Sequence, residues 1–267
     1  MKTLRRYAEV YAALMRYSVI HEMQFKVNFL LWIVVECLWF GLQLAYMAVL
    51  YGHTDSIAGW SQWQVVLLLG CNQIVQQLFH VFFVTNLSNL SELIRRGTLD
   101  LLILQPMNLR FLVSVKKFEI GNVANALLGV VVVAWALVKL NHRPSLWEWV
   151  GFAIICAAGL LIHYSLSFML ACVAFWTVRA QGILWGYYNL FNIARLPAEA
   201  FPRGLYRTFF TWVLPMLLVS NVPAQLLAGT LTSPGPWFAL LGMSVGCFAV
   251  SEWVWRLSLR HYQSASA

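Results

Sequence analysis

The stretch ELIRRGTLDLLILQPMNLR, residues 92–110, carries most of its charge at its front and a proline near its end. It lies between two apolar runs, at residues 63–84 and 118–138. Each run is close to the roughly 20 residues that a helix needs to cross a bilayer. Because Lys and Arg collect on cytoplasmic loops, the stretch is predicted to be a cytoplasmic loop between two membrane-spanning helices.

The composition of the chain agrees with a membrane protein. The 267 residues are 61% hydrophobic and 10% charged, with a mean hydropathy of +0.70, whereas soluble domains carry about 25% charged residues. The short alternating segments of a transmembrane β-barrel are not seen in the sequence. The sequence predicts an all-α, polytopic membrane protein with a single domain over residues 1–267 and six membrane segments.

Five of the six segments are continuous apolar runs, at residues 28–50, 63–84, 118–138, 149–177 and 237–255. The loop at residues 51–62 has no Lys or Arg and is assigned to the outside. Arg179 and both termini are then cytoplasmic. The net charge of +8 is assigned to this topology, because Lys and Arg cluster at the ends of the runs, and no nucleic-acid partner is predicted.

The sixth segment lies between residues 182 and 229, where two interpretations are open. Counting positive charges favours residues 205–228 as the fifth span, because Arg195, Arg203 and Arg207 would then be cytoplasmic.

The placement of prolines favours the other interpretation. Pro215 and Pro223 break the apolar run into pieces too short to cross a bilayer. Residues 182–201 would then be the fifth span, and residues 204–229 a re-entrant hairpin in the outer leaflet, which is tolerated where protein buries it.

The first 26 residues are predicted to form an amphipathic helix in the membrane interface. Apolar and aromatic residues recur at helical spacing, namely Tyr7, Val10, Tyr11, Leu14 and Tyr17. No apolar core followed by a small-residue cleavage site is seen, so no cleaved signal peptide is expected.

Within the loop of the opening stretch, a short helix is predicted. Asn89 or Ser91 would cap it, Glu92 would lie in its first turn and Gly97 would end it. The apolar residues that follow would need burial; they are Leu99, Leu101, Leu102, Ile103 and Leu104. A short rigid element that presents charge to the cytosol suits docking to a soluble partner.

Three motifs resemble those of a known family. GTLDLLILQP at residues 97–106 has the pattern G-x-L-D-x-x-[LI]-x-x-P, FKVNFLLW at residues 25–32 precedes the first span, and FPRGLYR at residues 201–207 is followed by Pro215 and VPA at residues 222–224. Together they resemble the six-helix permease subunits of type 2 ABC exporters. The nearest resemblance is to a bacterial branch, similar to multidrug and viologen exporters, that uses two permeases and one ATPase.

The resemblance implies a site and partners. The loop between the second and third spans would be a coupling helix in a groove of the ATPase, with Glu92, Arg95, Arg96, Gly97 and Asp100 at or near the contact. Residues 182–201 would be the fifth span, and Pro202, Pro215 and Pro223 would belong to the outer hairpin. Arg195 within that span departs from the family's pattern.

The resemblance also implies an assembly. Two copies of an ATPase would bind ATP and Mg, since this chain lacks G-x-x-x-x-G-K-[ST] and is expected to bind no cofactor itself. A second permease, identical or related, would complete it, with a heterodimer favoured. The location would be the bilayer of the bacterial cytoplasmic (inner) membrane, and the substrate a small amphiphilic, drug-like or lipid-like molecule moved outward by alternating access.

The second span carries a polar row that is a candidate wall of the translocation cavity. Asn72, Gln76 and His80 recur at i, i+4 and i+8, and Gln73 and Gln77 flank them. Amides that face lipid would be costly, so the row faces protein or water. Hydrogen bonds between helices are the other role that stays open.

Further cavity candidates lie in the first and fifth spans. Glu36 is a carboxylate inside the membrane, which marks a functional site by default but could equally hold a neighbouring helix. An aromatic and polar face of the fifth span, formed by Tyr187, Tyr188, Asn189 and Asn192, suits amphiphilic or flat cationic substrates, although Tyr is also common at membrane interfaces.

No catalytic or metal site is predicted. The five cysteines lie in apolar runs without C-x-x-C spacing, and the six histidines are scattered without H-E-x-x-H spacing. A proton-coupled secondary transporter that uses Glu36, or a membrane assembly protein outside the ABC class, remains as the alternative.

Overall fold

The computed structural model describes residues 2–177, 180–231 and 233–262. It is 81% helical, and no strand is present among those residues. Within the described residues, five helices are long and apolar enough to cross a membrane, and a bent pair of shorter helices forms a further apolar segment. The all-α, polytopic class is confirmed. Arg179, predicted on the cytoplasmic side, lies outside the described residues.

The main helices of the described chain are, in order, α1 (Lys2–Gln24), α2 (Lys26–Tyr51), α3 (Gln62–Arg95), α4 (Leu99–Ile103), α5 (Leu109–Val115), α6 (Gly121–Lys139), α7 (Leu146–Phe175), α8 (Gln181–Leu190), α9 (Leu205–Val213), α10 (Met216–Leu227) and α11 (Gly235–His261). Helix α3 is the centre of the bundle. Of its most apolar 18-residue stretch 83% is buried, whereas only 11% of the corresponding stretch of α2 is buried.

Helix α3 runs past its predicted end at residue 84, and α6 begins later than predicted. The side-chain amide of Asn86 explains both differences. Its Nδ2 donates to the backbone carbonyl of Lys117 at 2.7 Å, and its Oδ1 accepts from the backbone N–H of Lys117 at 2.8 Å. This clamp holds residues 116–120 as a non-helical connection beside α3, and the next helix begins at Gly121.

Contacts between elements show which helix ends share a face of the bundle. The backbone N–H of Asn108 donates to Tyr7 Oη at 2.8 Å, and Gln181 Nε2 donates to the carbonyl of Ser88 at 3.3 Å. We term this end the basic face, since it carries Arg95 and Arg96. The N-terminal helix α1 and the start of α8 both lie there.

The opposite end, which we term the far face, carries residues 51–61 and 141–144. Trp60 Nε1 donates to the Glu199 carboxylate at 3.0 Å, which places Glu199 at this end. Gly229 also lies there, because a Cβ atom at this position would be 3.0 Å from Cε1 of His142.

Between Gln181 on the basic face and Glu199 on the far face, the chain crosses the bundle. Helix α8 continues as a 3₁₀ helix, Phe191–Arg195, and a second 3₁₀ turn follows at Ala198–Ala200. Of the two interpretations left open by the sequence, the structure therefore agrees with a crossing within residues 182–201. The count of positive charges was misleading here, because Arg207 remains at the far face, 3.8 Å from the Glu199 carboxylate.

Helices α9 and α10 form a bent pair where the sequence predicts the re-entrant hairpin. They meet at an angle of 80°, and the hairpin both starts and ends at the far face. Pro215 lies at the bend, where it lacks the N–H that would continue a helix. The expectation that Pro223 also breaks the run is wrong: it lies inside the continuous helix α10, where its neighbours Val222 and Ala224 are buried. Pro202 is exposed, before α9.

The N-terminal helix α1 lies across the segment at residues 116–120. Ser18 Oγ accepts from the backbone N–H of Phe118 at 3.1 Å, and the Glu22 carboxylate accepts from that of Ile120 at 3.0 Å. Burial, together with the nearby Glu119 carboxylate, raises the pKa of Glu22. Tyr17, predicted on the apolar face of the helix, is 66% exposed, because α1 turns its Ser18 side toward the protein.

Candidate functional site

A polar cleft of about 560 Å³ lies between α2, α3 and the residues at the end of α8. It contains a carboxylate, a guanidinium, an imidazole, six side-chain amides, three aromatic rings and one leucine among helices that are otherwise apolar. Its lining residues are Glu36, Trp39, Phe40, Leu42, Gln43, Tyr46, Gln73, Gln76, Gln77, His80, Asn189, Asn192 and Arg195.

The two charged groups of the cleft are held by neighbouring amides of α3. Gln77 Nε2 donates to the Glu36 carboxylate at 3.4 Å, and Arg195 Nη2 donates to Gln76 Oε1 at 3.2 Å. Within the described residues neither Glu36 nor Arg195 belongs to a salt bridge. The cleft thus presents an anion and a cation that are each satisfied by a neutral partner.

Most of the predicted cavity residues come together in this cleft, namely Glu36, Gln73, Gln76, Gln77, His80 and Asn192. Asn72 does not line it: the side chain is 1% exposed, and its Oδ1 has no hydrogen-bond partner among the described residues. Tyr187 and Tyr188 do not line it either. Both are buried within the bundle, where Tyr187 Oη lies 2.8 Å from His163 Nδ1.

Two structural features behind the cleft were not predicted from sequence. His163 is buried between the rings of Phe79 and Phe191, with centroid distances of 3.9 and 4.2 Å. A π-helical segment, His80–Val84, begins at the last polar residue of the α3 row. Such segments are frequent at functional sites, and here the wider turn ends the row of amides.

Arg195 lines the cleft, although the sequence analysis treated it only as a topology signal and as a departure from the family's pattern. The sequence contained a pattern that could have placed Arg195 in the cleft. Asn189, Asn192 and Arg195 recur at i, i+3 and i+6, which is the spacing of one helix face. The fifth crossing presents this face to the cleft.

The second candidate site is the predicted coupling element on the basic face. Glu92 accepts hydrogen bonds from Arg95, at 2.8 Å, and from Arg96. Gly97 follows with φ +67°, a left-handed conformation that suits glycine. The short helix Leu90–Arg95 therefore ends where predicted. Neither of the expected caps is formed: Asn89 has helical φ and ψ without a side-chain cap, and Ser91 lies inside the helix.

The burial predicted for the leucines after Gly97 is only partly seen. Leu99 is fully buried, but Leu101, Ile103 and Leu104 are 64%, 46% and 80% exposed. Helix α4 lies on the surface of the basic face, so it can bury only one side. An apolar patch beside Arg95 and Arg96 remains uncovered on this chain.

Asp100 connects the coupling element to the C-terminal end of α11. It interacts with Tyr262, and burial together with the nearby Asp100 carboxylate raises the pKa of Tyr262 to about 12. The phenol therefore stays neutral at all ordinary pH values.

Arg110 makes a second connection, which the sequence did not predict. This arginine of α5 is 6% exposed. Its Nη1 donates to the Glu252 carboxylate at 2.8 Å, and its Nη2 to Ser251 Oγ at 2.6 Å. The guanidinium also lies 4.4 Å from the ring centroid of Phe168. Helix α5 is thereby tied to α7 and α11. The Glu252 carboxylate also accepts a hydrogen bond from Arg256, at 2.8 Å.

Among the described residues, no group of three or more His, Cys, Asp or Glu side chains could hold a metal ion. The fold and the cleft define a polytopic helical membrane protein with a polar site inside the membrane. Residues 37–266 match the family described as ABC-2 family transporter protein. The chain belongs to this family and is a permease component of an ABC transporter, not itself the catalytic subunit. No curated protein and no solved structure matches the chain.

Proposed function

We propose that this chain is an export permease of the bacterial inner membrane, with both termini in the cytoplasm. It pairs with a second permease, preferably a related one, and with two copies of an ATPase that binds ATP and Mg. The assembly moves a small amphiphilic, drug-like or lipid-like substrate outward by alternating access. The polar cleft beside the sparsely buried helix α2 carries this proposal.

The cleft is the half of a pathway that a second permease would complete. Glu36 and Gln43 lie on α2, of which little is buried against the rest of the chain. A carboxylate and an amide that faced lipid would be costly. A second permease packed over α2 keeps these groups in a shared polar cavity, and rocking of the two halves then opens it to either side.

The basic face supplies the link to the ATPase. Leu101 and Leu104 expose apolar surface beside Arg95 and Arg96, a combination that suits a groove with an apolar floor and an acidic rim. Movement of this element reaches the membrane helices through Arg110, which contacts Glu252 of α11 and Tyr164 of α7.

The proposal is tested by purifying the tagged chain from its native membrane in mild detergent and identifying the accompanying proteins by mass spectrometry. Recovery of a nucleotide-binding ATPase and of a second, different permease is the expected result. Intact, folded chain that brings no ATPase would contradict it and would favour the proton-coupled transporter that uses Glu36.

Leu104→Ser and Arg96→Glu are each expected to lower substrate-stimulated ATP hydrolysis by the reconstituted assembly about tenfold, while the chain still inserts into the membrane. The serine removes apolar contact area and the glutamate reverses a charge at the contact. Leu146→Ser is the matched control, since Leu146 is 77% exposed, against 80% for Leu104, but lies at the far face. Equal loss in the control would argue against the basic face as the coupling surface.

The sides of the membrane are checked with single added cysteines. Gln105→Cys, on the basic face, should react with a membrane-impermeant maleimide only after the cells are opened. Ser56→Cys, on the far face, should react in intact cells. Both positions are exposed, so access decides the labelling. The native chain is the background to subtract, and the reverse pattern would invert the proposed orientation.

A further inference from the structure

We propose that the cleft selects amphiphiles with a zwitterionic polar group, whose cationic part binds Glu36 and whose anionic part binds Arg195. This inference rests on the proposed export function for its biological meaning, but both charges that it invokes belong to this chain.

The arrangement of the two charges carries the inference. Glu36 comes from α2 and Arg195 from the end of the fifth crossing, and both line the same cleft. Their amide partners are consecutive residues of α3, Gln77 and Gln76. The two charges are therefore held by adjacent positions of α3, and among the described residues no salt bridge joins them directly.

Neutral partners leave each charge without a counter-charge in direct contact, which is costly inside a membrane. A zwitterion supplies a cation and an anion together. A purely cationic ligand would be attracted by Glu36 but repelled by Arg195. A purely anionic ligand would be attracted by Arg195 but repelled by Glu36. Selection by opposed charges of this kind acts through repulsion of the wrong ligand as much as through attraction of the right one.

The remaining lining suits an amphiphile. Trp39 and Tyr46 follow Glu36 along α2 and are 61% and 60% exposed, so their rings can contact an alkyl or aromatic part of the ligand. An ammonium group near Glu36 would also gain cation–π attraction from Trp39. A volume of about 560 Å³ falls within the ~300–1,000 Å³ range of small-molecule sites.

The experiment measures equilibrium binding of three radiolabelled probes to the full-length chain in a maltoside detergent, which carries no charge. The probes share an octyl chain and differ in the head group: octylphosphocholine, octyltrimethylammonium and octyl phosphate. The native chain is expected to bind octylphosphocholine at least tenfold more tightly than either of the others.

Glu36→Gln should weaken octylphosphocholine binding about tenfold and shift the preference to octyl phosphate. Arg195→Gln should weaken it similarly and shift the preference to octyltrimethylammonium. The double exchange Glu36→Arg with Arg195→Glu should keep the preference for the zwitterion. The controls are Glu199→Gln and Arg203→Gln, which change the same charges outside the cleft and should leave all three affinities unchanged.

Equal affinity of the native chain for all three probes would overturn the inference, as would variants that keep the native order of affinities. The assay requires neither ATPase nor transport. A chain that prefers the zwitterion but recovers no ATPase would therefore overturn the proposed function alone. A chain that recovers the ATPase without this preference would overturn the inference alone.

Discussion

Glu252→Ala is expected to lower the free energy of unfolding by up to about 3 kcal/mol, the low end of the cost of removing one partner of a buried ion pair, because Arg110 is buried whereas the Glu252 side chain is 33% exposed. The Arg110 side chain is 7% exposed and donates to this carboxylate at 2.8 Å. Without Glu252, the guanidinium keeps its bonds to Ser251 and Tyr164 but loses its counter-charge. Denaturation of the purified chain in mixed micelles, followed by tryptophan fluorescence, measures the loss.

Arg256→Ala is the control for this prediction. Arg256 donates to the same carboxylate at 2.8 Å, but its side chain is 72% exposed. Exposed ion pairs contribute less than about 1 kcal/mol, so this variant should unfold almost as the native chain does. Equal losses in both variants would mean that burial of Arg110 does not govern the stability of the cluster.

Gly70→Val is expected to lower the free energy of unfolding by at least about 1–3 kcal/mol, the range for overpacking a core. A Cβ atom at Gly70 would lie 2.8 Å from Val133 Cγ2 and 3.1 Å from the backbone N of Val133 in α6. Gly129 of α6 meets α3 just as closely, with Ile74 Cγ1 3.0 Å from its Cβ position. Small residues let two membrane helices approach in this way, and a valine would separate them.

Gly246→Val is the matched control, because a Cβ atom at Gly246 of α11 would meet nothing within 4 Å. Adding Val133→Ala to Gly70→Val should restore part of the lost stability, since it removes one of the atoms that clash. Both effects can be measured by the same unfolding assay. A control variant as unstable as Gly70→Val would show that valine in a membrane helix, and not helix contact, causes the loss.

Much of the architecture could be predicted from the sequence because bilayer thickness acts on each segment separately. A helix must satisfy its own backbone in lipid, so residues 63–84 and 149–177 indicated spans without knowledge of any neighbour. The row of amides on α3 was visible for the same reason, since helical spacing places Gln73, Gln76 and Gln77 near one face. The motif at residues 97–106 indicated the family, which the match over residues 37–266 confirms.

Tertiary structure alone decided what depends on two distant segments. Arg195 joined the cleft, while Tyr187 and Tyr188 turned away from it, because the contacts at both ends of the fifth crossing set its rotation. Arg110 could only be placed once α7 and α11 brought Ser251, Glu252 and Phe168 around it. Hydrophobicity and spacing report where a segment lies relative to the bilayer. Which face of it meets protein is determined by packing against partners that are far away in the chain.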